Sequence, residues 1–365
     1  MTLPSVALVH DYLLVMRGAE RSFAAIAECW PDAPVYTLLY DRQGTEDVFA
    51  GRDVRPSYLQ RLGVRQAGFR RLMPMFPRAV EHLPVADAEL VISSTSAFAH
   101  GVRPSPSAVH VAYCYTPFRY AWHERARALA EAPRPLRPLT SRFLDRIRDW
   151  DLEASTRVTR YVAISELSRE RIRDCYGRDA TIVHPPVEVR RFSVGEPEQF
   201  FLVVCEVVPH KRVRNALEAA RRSGSPIKVV GGGPELGQLR REFASSAEFL
   251  GRASDDELAA LYRRARALVV PNVEEFGIAA VEAQASGRPV LAADAGGARE
   301  TVVPGETGVL VPPDDVEALA EAMRVTDWDR FDPRHIHHHA QQFSTAEFKR
   351  RFVAEVARLA PAAIR

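Results

Sequence analysis

Residues 265–287 read A-R-A-L-V-V-P-N-V-E-E-F-G-I-A-A-V-E-A-Q-A-S-G. Leu268, Val269 and Val270 form a short apolar run closed by Pro271, which suits a strand buried on both faces and ending at a loop. From about Gly277 an alanine-rich run predicts a helix that stops at Ser286 and Gly287. Strand, loop and helix in that order belong to a parallel sheet wound with helices. They put the Glu274-Glu275-Phe276-Gly277 corner at the carboxyl end of a strand, where open α/β sheets take their ligands. Backbone N–H groups at the helix start favour an anion such as a diphosphate.

Two carboxylates bracket that corner, Glu274 in the loop and Glu282 a turn or more into the helix. A carboxylate accepts paired hydrogen bonds from vicinal hydroxyls. The stretch therefore offers a phosphate cradle between two hydroxyl-binding groups, the outline of a nucleotide-sugar site. A solvated loop and an exposed helix position would account for either glutamate taken alone.

The same alternation recurs along the chain. Val6-Ala7-Leu8-Val9 ends at His10-Asp11, a turn follows at Arg17-Gly18-Ala19-Glu20, and residues 21–29 are amphipathic. Strand, glycine turn and helix open a doubly wound domain, and Gly18 would let a ligand approach the backbone. Residues 89–94 and 108–113 read as buried strands, and 160–165 as a strand leading into a helix capped by Ser165. Residues 125–137, rich in Ala, Pro and Arg, are expected to form a mobile excursion, and 141–156 have helical periodicity. Pro185 and Pro186 stiffen the chain and mark an interdomain linker at 182–187. From Phe200 a second series of strands and helices begins. A chain of 365 residues has room for two such domains.

Composition excludes some classes. Hydrophobic residues at 46% and charged residues at 26% are the proportions of a soluble globular protein. No apolar run approaches the roughly 18 residues of a membrane span, and no basic segment precedes an apolar one at the N-terminus. The chain is expected in the cytoplasm, with membrane contact only at the surface, on the inner face of the cell membrane. A formal net charge of +2 says little about partners, and no nucleic acid is expected among them. Cys29, Cys114, Cys175 and Cys205 match no metal or redox spacing and fit a reducing compartment. His335, His337, His338 and His339 scatter round a helix, which suits a surface or cap cluster rather than a metal site.

Two basic features stand apart. Residues 51–78 hold seven arginines against one acidic residue, Asp53, interleaved with Leu59, Leu62, Phe69, Leu72, Met73, Met75 and Phe76. The pattern fits either a segment seated on anionic lipid headgroups or a solvated arginine face over core residues. Lys211 is one of only three lysines among 49 basic residues. Its compact ammonium suits neutralisation of a diphosphate, a surface position being the plain alternative.

The E-x7-E spacing of Glu274 and Glu282, enclosing F-G and running on as E-A-Q-A-S-G-R-P-V over 282–290, resembles the retaining glycosyltransferases of family 4 (glycosyl transferases group 1), which have the GT-B fold. Within that family the chain is similar to bacterial mannosyltransferases of polysaccharide assembly. The resemblance extends over nearly the whole chain and is strongest across 201–311. It implies an α/β protein of two doubly wound Rossmann-like domains facing a cleft. Residues 1–185 would bind the acceptor, 186–345 the nucleotide sugar, and 346–365 would form a helix crossing back onto the N-terminal domain.

The resemblance also implies roles. Lys211 and Glu274 become the catalytic pair, the first on the diphosphate and the second on the sugar hydroxyls. Glu282 would hold the ribose, while Gly18, Arg212, Phe276, Gly277 and Ile278 face the donor. Gly231, Gly251 and Arg252 would wall the base. Asp11, Tyr115 and Arg119 fall on the acceptor side. No metal, and no cofactor beyond the nucleotide diphosphate sugar, is expected. Three positions depart from the family pattern: Ala19 replaces a second glycine, Tyr115 a common histidine, and Glu206 an arginine. The implied activity is retaining transfer of a hexose, mannose among the candidates, to a glycan or lipid-linked acceptor in cell-surface polysaccharide or glycolipid synthesis. The same fold serves sugar-nucleotide epimerases, and Glu206 and Tyr115 leave room for a chain that binds a nucleotide sugar without turning it over.

Overall fold

The computed structural model describes residues 5–63 and 68–361. The chain divides into two compact units, Met1–His184 with Phe348–Arg365, and Pro185–Glu347.

Among the described residues, the first unit is built on a seven-stranded sheet. Its strands are β1 (Val6–His10), β2 (Val35–Thr37), β3 (Val54–Pro56), β4 (Leu90–Thr95), β5 (Val109–Cys114), β6 (Arg160–Ala163) and β7 (Ala180–Ile182). They lie in the order β3-β2-β1-β4-β5-β6-β7, every pairing parallel. Parallel neighbours require crossover connections, and helices supply most of them. β4 is buried at every residue, as a strand covered on both faces must be. The helix Gly18–Cys29 turns Phe23, Ala25 and Ile26 into the core.

The expected excursion at 125–137 is instead structured. Arg125–Glu131 is a helix, carrying an Arg127–Glu131 pair one turn apart at 2.8 Å. Arg125 ties it to the next helix, Arg137–Ser155, through the Ser141 hydroxyl at 2.8 Å and Asp145 at 2.9 Å. The prolines that suggest a loop stand at 133, 135 and 138, and Pro138 occupies the first turn of Arg137–Ser155, where its missing N–H costs nothing.

In the basic segment 51–78, residues 64–67, Arg65 among them, lie outside the described residues. Leu59 and Phe76 are buried, whereas Tyr58, Leu62 and Met75 are exposed. Arg52 donates to the carbonyls of Trp30 and Ala33, and Arg55 pairs with Asp53 and the Tyr36 hydroxyl. The segment thus mixes core residues with an exposed apolar and basic surface.

The last helix, Thr345–Leu359, joins the first unit from Phe348 onward. Phe352 packs edge-on against Trp30 and Tyr113, and Thr181 donates to Glu355 at 3.0 Å. Lys349 pairs with Glu28. The chain therefore returns to the sheet on which it began.

The second unit carries six strands among the described residues: β8 (Phe201–Val204), β9 (Ile227–Val230), β10 (Glu248–Gly251), β11 (Ala267–Val270), β12 (Val290–Ala293) and β13 (Gly308–Val311). Their order is β10-β9-β8-β11-β12-β13, again parallel throughout. The core gathers Phe201, Val203, Leu217, Val269, Leu291 and Trp328. No helix among the described residues is long and apolar enough to cross a membrane.

Candidate functional site

The second sheet starts at β8, builds outward to β9 and β10, then returns to lay β11 on the other flank of β8. The loops leaving β8 and β11 must therefore turn away from each other, and they open a crevice at the carboxyl ends of the strands. Lys211 closes the loop after β8, at the end of the short helix Pro209–Lys211. Glu274 lies in the loop after β11.

The two side chains meet in that crevice. Lys211 Nζ donates to Glu274 Oε1 at 2.6 Å and Oε2 at 2.7 Å. Both side chains are about four-fifths buried, at 23% and 20% exposure. Asn272 Nδ2 donates to the same Oε1 at 3.0 Å, so one carboxylate oxygen serves two donors. The Cys205 thiol lies close by. Burial pushes it up to about 12, with the Lys211 ammonium opposing the shift and the Glu274 and Glu206 carboxylates adding to it.

The helix Ile278–Ala285 starts at the same place. Its N-cap, Gly277, has φ +92, a left-handed conformation that disfavours any side chain. Phe276 is buried edge-on against Phe343, and Glu274 accepts a hydrogen bond at its own carbonyl from Gly297 N at 2.9 Å. The loop is thus fixed at Glu274 itself and again two residues on, at Phe276. Ile278 is the first residue of the helix and Glu282 lies one turn on. Tyr262, fully buried, donates its hydroxyl to Glu282 Oε2 at 2.9 Å. Burial and the adjacent carboxylate hold that phenol well above its ordinary pKa, so it stays a donor.

The glycine turns serve the backbone first. Gly231 has φ +135, and a Cβ there would fall 1.8 Å from the Cys205 carbonyl oxygen. Its N–H donates to the Gly251 carbonyl at 2.6 Å, which stitches the loop after β9 to the end of β10. Arg252 is exposed and its side chain lies over Gly232. Arg212, at φ +52, directs its Nε to Asp314 at 3.0 Å in a pair more than half exposed. Such a pair is weak, and a competing anion can take the guanidinium.

In the first unit, two residues expected on the acceptor side turn inward. Asp11 is 2% exposed. Its carboxylate accepts the N–H groups of Ser96, Phe98 and Ala99 at 2.6, 2.8 and 2.6 Å and the hydroxyls of Thr95 and Ser96 at 3.2 and 3.1 Å. With both oxygens engaged it fastens the loop after β4 to that after β1. Tyr115 donates to the Ala19 carbonyl at 2.8 Å and shares a 2.9 Å hydrogen bond with Ser94. Burial raises its pKa, so it braces the start of the helix Gly18–Cys29 as a neutral phenol. Arg119 is part-exposed and pairs with Glu124 at 3.6 Å. Gly18 opens its helix, but Glu20 already caps the Arg17 N–H at 3.0 Å. A carboxylate in that first turn disfavours a second anion there.

Two of the clustered histidines hydrogen-bond to backbone. His337 Nδ1 donates to the Ala285 carbonyl at 2.6 Å and His339 Nε2 to that of Thr301 at 3.1 Å, while His335 lies 3.3 Å from Glu306. Among the described residues no group of three or more potential ligands could hold a metal ion.

Residues 188–326 match the family described as Glycosyl transferases group 1. The chain carries a glycosyl transferases group 1 domain. That domain contains the whole Lys211–Glu274 crevice. The chain is similar, at 32% identity over 201 residues, to the D-rhamnosyltransferase WbpZ of Pseudomonas aeruginosa, with 52% of each chain covered. It is 31% identical over 196 residues to a GDP-mannose-dependent alpha-(1-6)-phosphatidylinositol monomannoside mannosyltransferase of Mycobacterium tuberculosis, covering 44% of this chain and 50% of that protein. The chain spans about half the length of these curated relatives. In fold it resembles HepE of Anabaena in complex with UDP-glucose, at a TM-score of 0.72 and 18% identity, over 96% of this chain and 99% of that one. The fold is GT-B, with two Rossmann-like domains.

Within the group 1 domain the structure brings Lys211, Glu274, Gly277 and Ile278 to one crevice and sets Glu282 one turn behind. Asn272 and Tyr262, which hold the two glutamates, carry no signal in the sequence. Each contacts its partner through a loop or a neighbouring helix, where no periodicity marks the pairing.

Proposed function

We propose that this glycosyltransferase moves a hexose from a nucleotide diphosphate sugar to a glycan or lipid-linked acceptor, with retention of configuration and without a metal. GDP-mannose is the first donor to test, since a relative named as GDP-mannose-dependent shares 31% identity with the chain. The observation that carries the reading is the Lys211–Glu274 pair in the crevice between β8 and β11.

The chemistry follows from the two groups. A diphosphate entering the crevice is a stronger partner for an ammonium than a single carboxylate is, so Lys211 transfers to it. Glu274 is then released to accept hydrogen bonds from sugar hydroxyls. The bond between the anomeric carbon and the phosphate oxygen breaks, and the negative charge that gathers on the leaving diphosphate meets Lys211, the N–H groups at the start of Ile278–Ala285, and Arg212. Stabilising charge where it develops is usually the largest catalytic contribution. The acceptor oxygen bonds to the anomeric carbon on the face the diphosphate leaves, and its proton passes to a leaving phosphate oxygen. No protein base is needed. Glu282, held by Tyr262, takes the ribose hydroxyls.

The exposed Tyr58, Leu62 and Met75, beside the exposed Arg61, Arg71 and Arg78, support peripheral contact with an anionic lipid surface that would present the acceptor. The acceptor belongs on this reading to cell-surface polysaccharide or glycolipid synthesis.

Thermal stabilisation of the purified protein by a panel of nucleotides and nucleotide sugars tests the proposal, because a ligand of the native state must raise stability. A preference for a guanosine or uridine diphosphate sugar, undiminished by EDTA, is expected. Absence of any response across the panel would overturn it.

A further inference from the structure

Glu274 faces a difficulty if it exchanges partners as the proposed function requires. In the ligand-free protein the carboxylate is aimed by Lys211, whose ammonium bridges both oxygens. When a diphosphate draws that ammonium away, a carboxylate on a loop would lose its orientation at the moment it must engage the sugar. A flexible side chain that is unheld costs affinity through the rotamers it must then give up.

The structure supplies a second hold. Asn272 is more than nine-tenths buried, and its Nδ2 lies 3.0 Å from Glu274 Oε1. It stands two residues before Glu274, directly after the Pro271 that ends the strand run, and the same amide also reaches the Val273 carbonyl at 3.3 Å. Asn272 is neutral, so a diphosphate has no electrostatic reason to take it. Of the two donors on Oε1, one is free to leave and the other is anchored at the end of β11.

We propose that Asn272 is a positioning residue, which keeps Glu274 aimed at the sugar hydroxyls after the diphosphate has taken Lys211. The inference rests on the nucleotide-sugar reading above and adds to it the residue that makes the exchange productive. Oε1 stays with Asn272, Oε2 is released by Lys211, and Oε2 is therefore the oxygen that meets the sugar.

Calorimetric titration with GDP and GDP-mannose, and with UDP and UDP-glucose, tests this on the native chain and on Asn272→Ala, Asn272→Ser and Asn272→Asp. The native protein should bind one nucleotide sugar more tightly than its nucleoside diphosphate. Asn272→Ala should lower that preference about tenfold, the effect of losing a hydrogen bond to a charged group, while leaving diphosphate affinity unchanged. Asn272→Ser, which keeps a short donor, should recover part of it. Asn272→Asp fills the same space but sets a second carboxylate beside Glu274, so it should be worse than alanine. A residue that only fills space would show the reverse order, aspartate better than alanine, and that result overturns the inference. So does an unchanged sugar preference in folded Asn272→Ala, which would leave the donor reading standing. If the native chain binds none of the four ligands, both readings fall. Melting temperatures establish that each variant is folded, and if the aspartate variant is not, the comparison of alanine with serine still decides.

Discussion

Replacing Glu274 with glutamine should make the protein bind a nucleoside diphosphate more tightly. The sign follows from the ion pair. An ammonium 2.6–2.7 Å from both carboxylate oxygens gains roughly 6 kcal/mol of Coulomb energy at an effective dielectric constant of about 20. Most of that repays the water both groups give up, and with each side chain still about one-fifth exposed the net worth of the pair is about 1–2 kcal/mol. A diphosphate must break this pair before it can claim Lys211. The glutamine side chain has nearly the same shape and no charge, so it removes the competitor without opening a cavity. About 1.4 kcal/mol corresponds to a tenfold gain in diphosphate affinity. The same change costs the fold a pair interaction, and the melting temperature should drop by a few degrees, at roughly 2–4 °C for each kcal/mol in a domain of this size. Transfer should fall by about a hundredfold or more, because glutamine orders sugar hydroxyls less well than a carboxylate. Titration with GDP and UDP, alongside release of diphosphate from GDP-mannose, gives both numbers. A folded Glu274→Gln protein that bound diphosphates more weakly than the native chain would refute the exchange of Lys211 between the two anions.

Four further outcomes are expected. Lys211→Ala should reduce turnover by about a thousandfold, some 4 kcal/mol of transition-state stabilisation, with a circular dichroism spectrum like that of the native chain; normal turnover would dismiss the phosphate assignment. Tyr262→Phe removes the donor that aims Glu282 and should weaken binding of every nucleotide in the panel by a similar factor of about five, whereas loss of discrimination among sugars alone would place Glu282 on the wrong part of the donor. Burial, with His100 and Arg157 nearby, depresses His110 from 6.5 to about 3; the unfolded chain therefore takes a proton that the folded chain refuses, so its contribution to stability is complete above pH 6.5 and is lost progressively below it. Urea titrations should show about 2 kcal/mol of this loss by pH 5, and His110→Gln should flatten the dependence. Vesicles with anionic headgroups should retain the native chain and release a Tyr58→Ser, Leu62→Ser, Met75→Ser variant, while equal retention of both would remove 51–78 from the membrane contact.

Much of this fold is readable in the sequence because its signals are local. An apolar run closed by Pro271, an alanine-rich helix and a glycine stop need no knowledge of the rest of the chain, and the same holds at Val6-Ala7-Leu8-Val9 and at residues 200–204. Local signals fail where residues with turn chemistry serve a helix start. The prolines around 133–138 suggest a mobile loop, yet they form a short connection between two helices that Arg125 and Asp145 tie together. Polar residues at strand ends pose a different problem. Asp11 and Tyr115 stand where ligands bind, and their side chains are engaged by other elements of the same unit. The Asp11 donors lie 84–88 positions away, and no pattern in one sequence pairs them.

Lys211 and Glu274 show where the limit falls. Each is legible separately, since each stands just beyond an apolar strand run, but 63 positions separate them and their contact depends on β8 and β11 being neighbours. Strand order is a property of the whole sheet. Had β9 lain between the two strands, the same residues at the same strand ends would be roughly 10 Å apart, two strand spacings rather than one, and Lys211 would stand uncompensated. The adjacency at which the sheet reverses its order therefore sets the electrostatic state of the empty site. It converts a free cation, which any phosphate could claim, into one that an anion wins only by breaking the pair, a cost recovered when something else satisfies Glu274. A nucleotide sugar can do both at once, with its diphosphate on Lys211 and its hydroxyls on the carboxylate, whereas free phosphate can do only the first. Selectivity for the donor over phosphate would then arise from the pairing itself, and in Glu274→Gln that selectivity should disappear together with the competition.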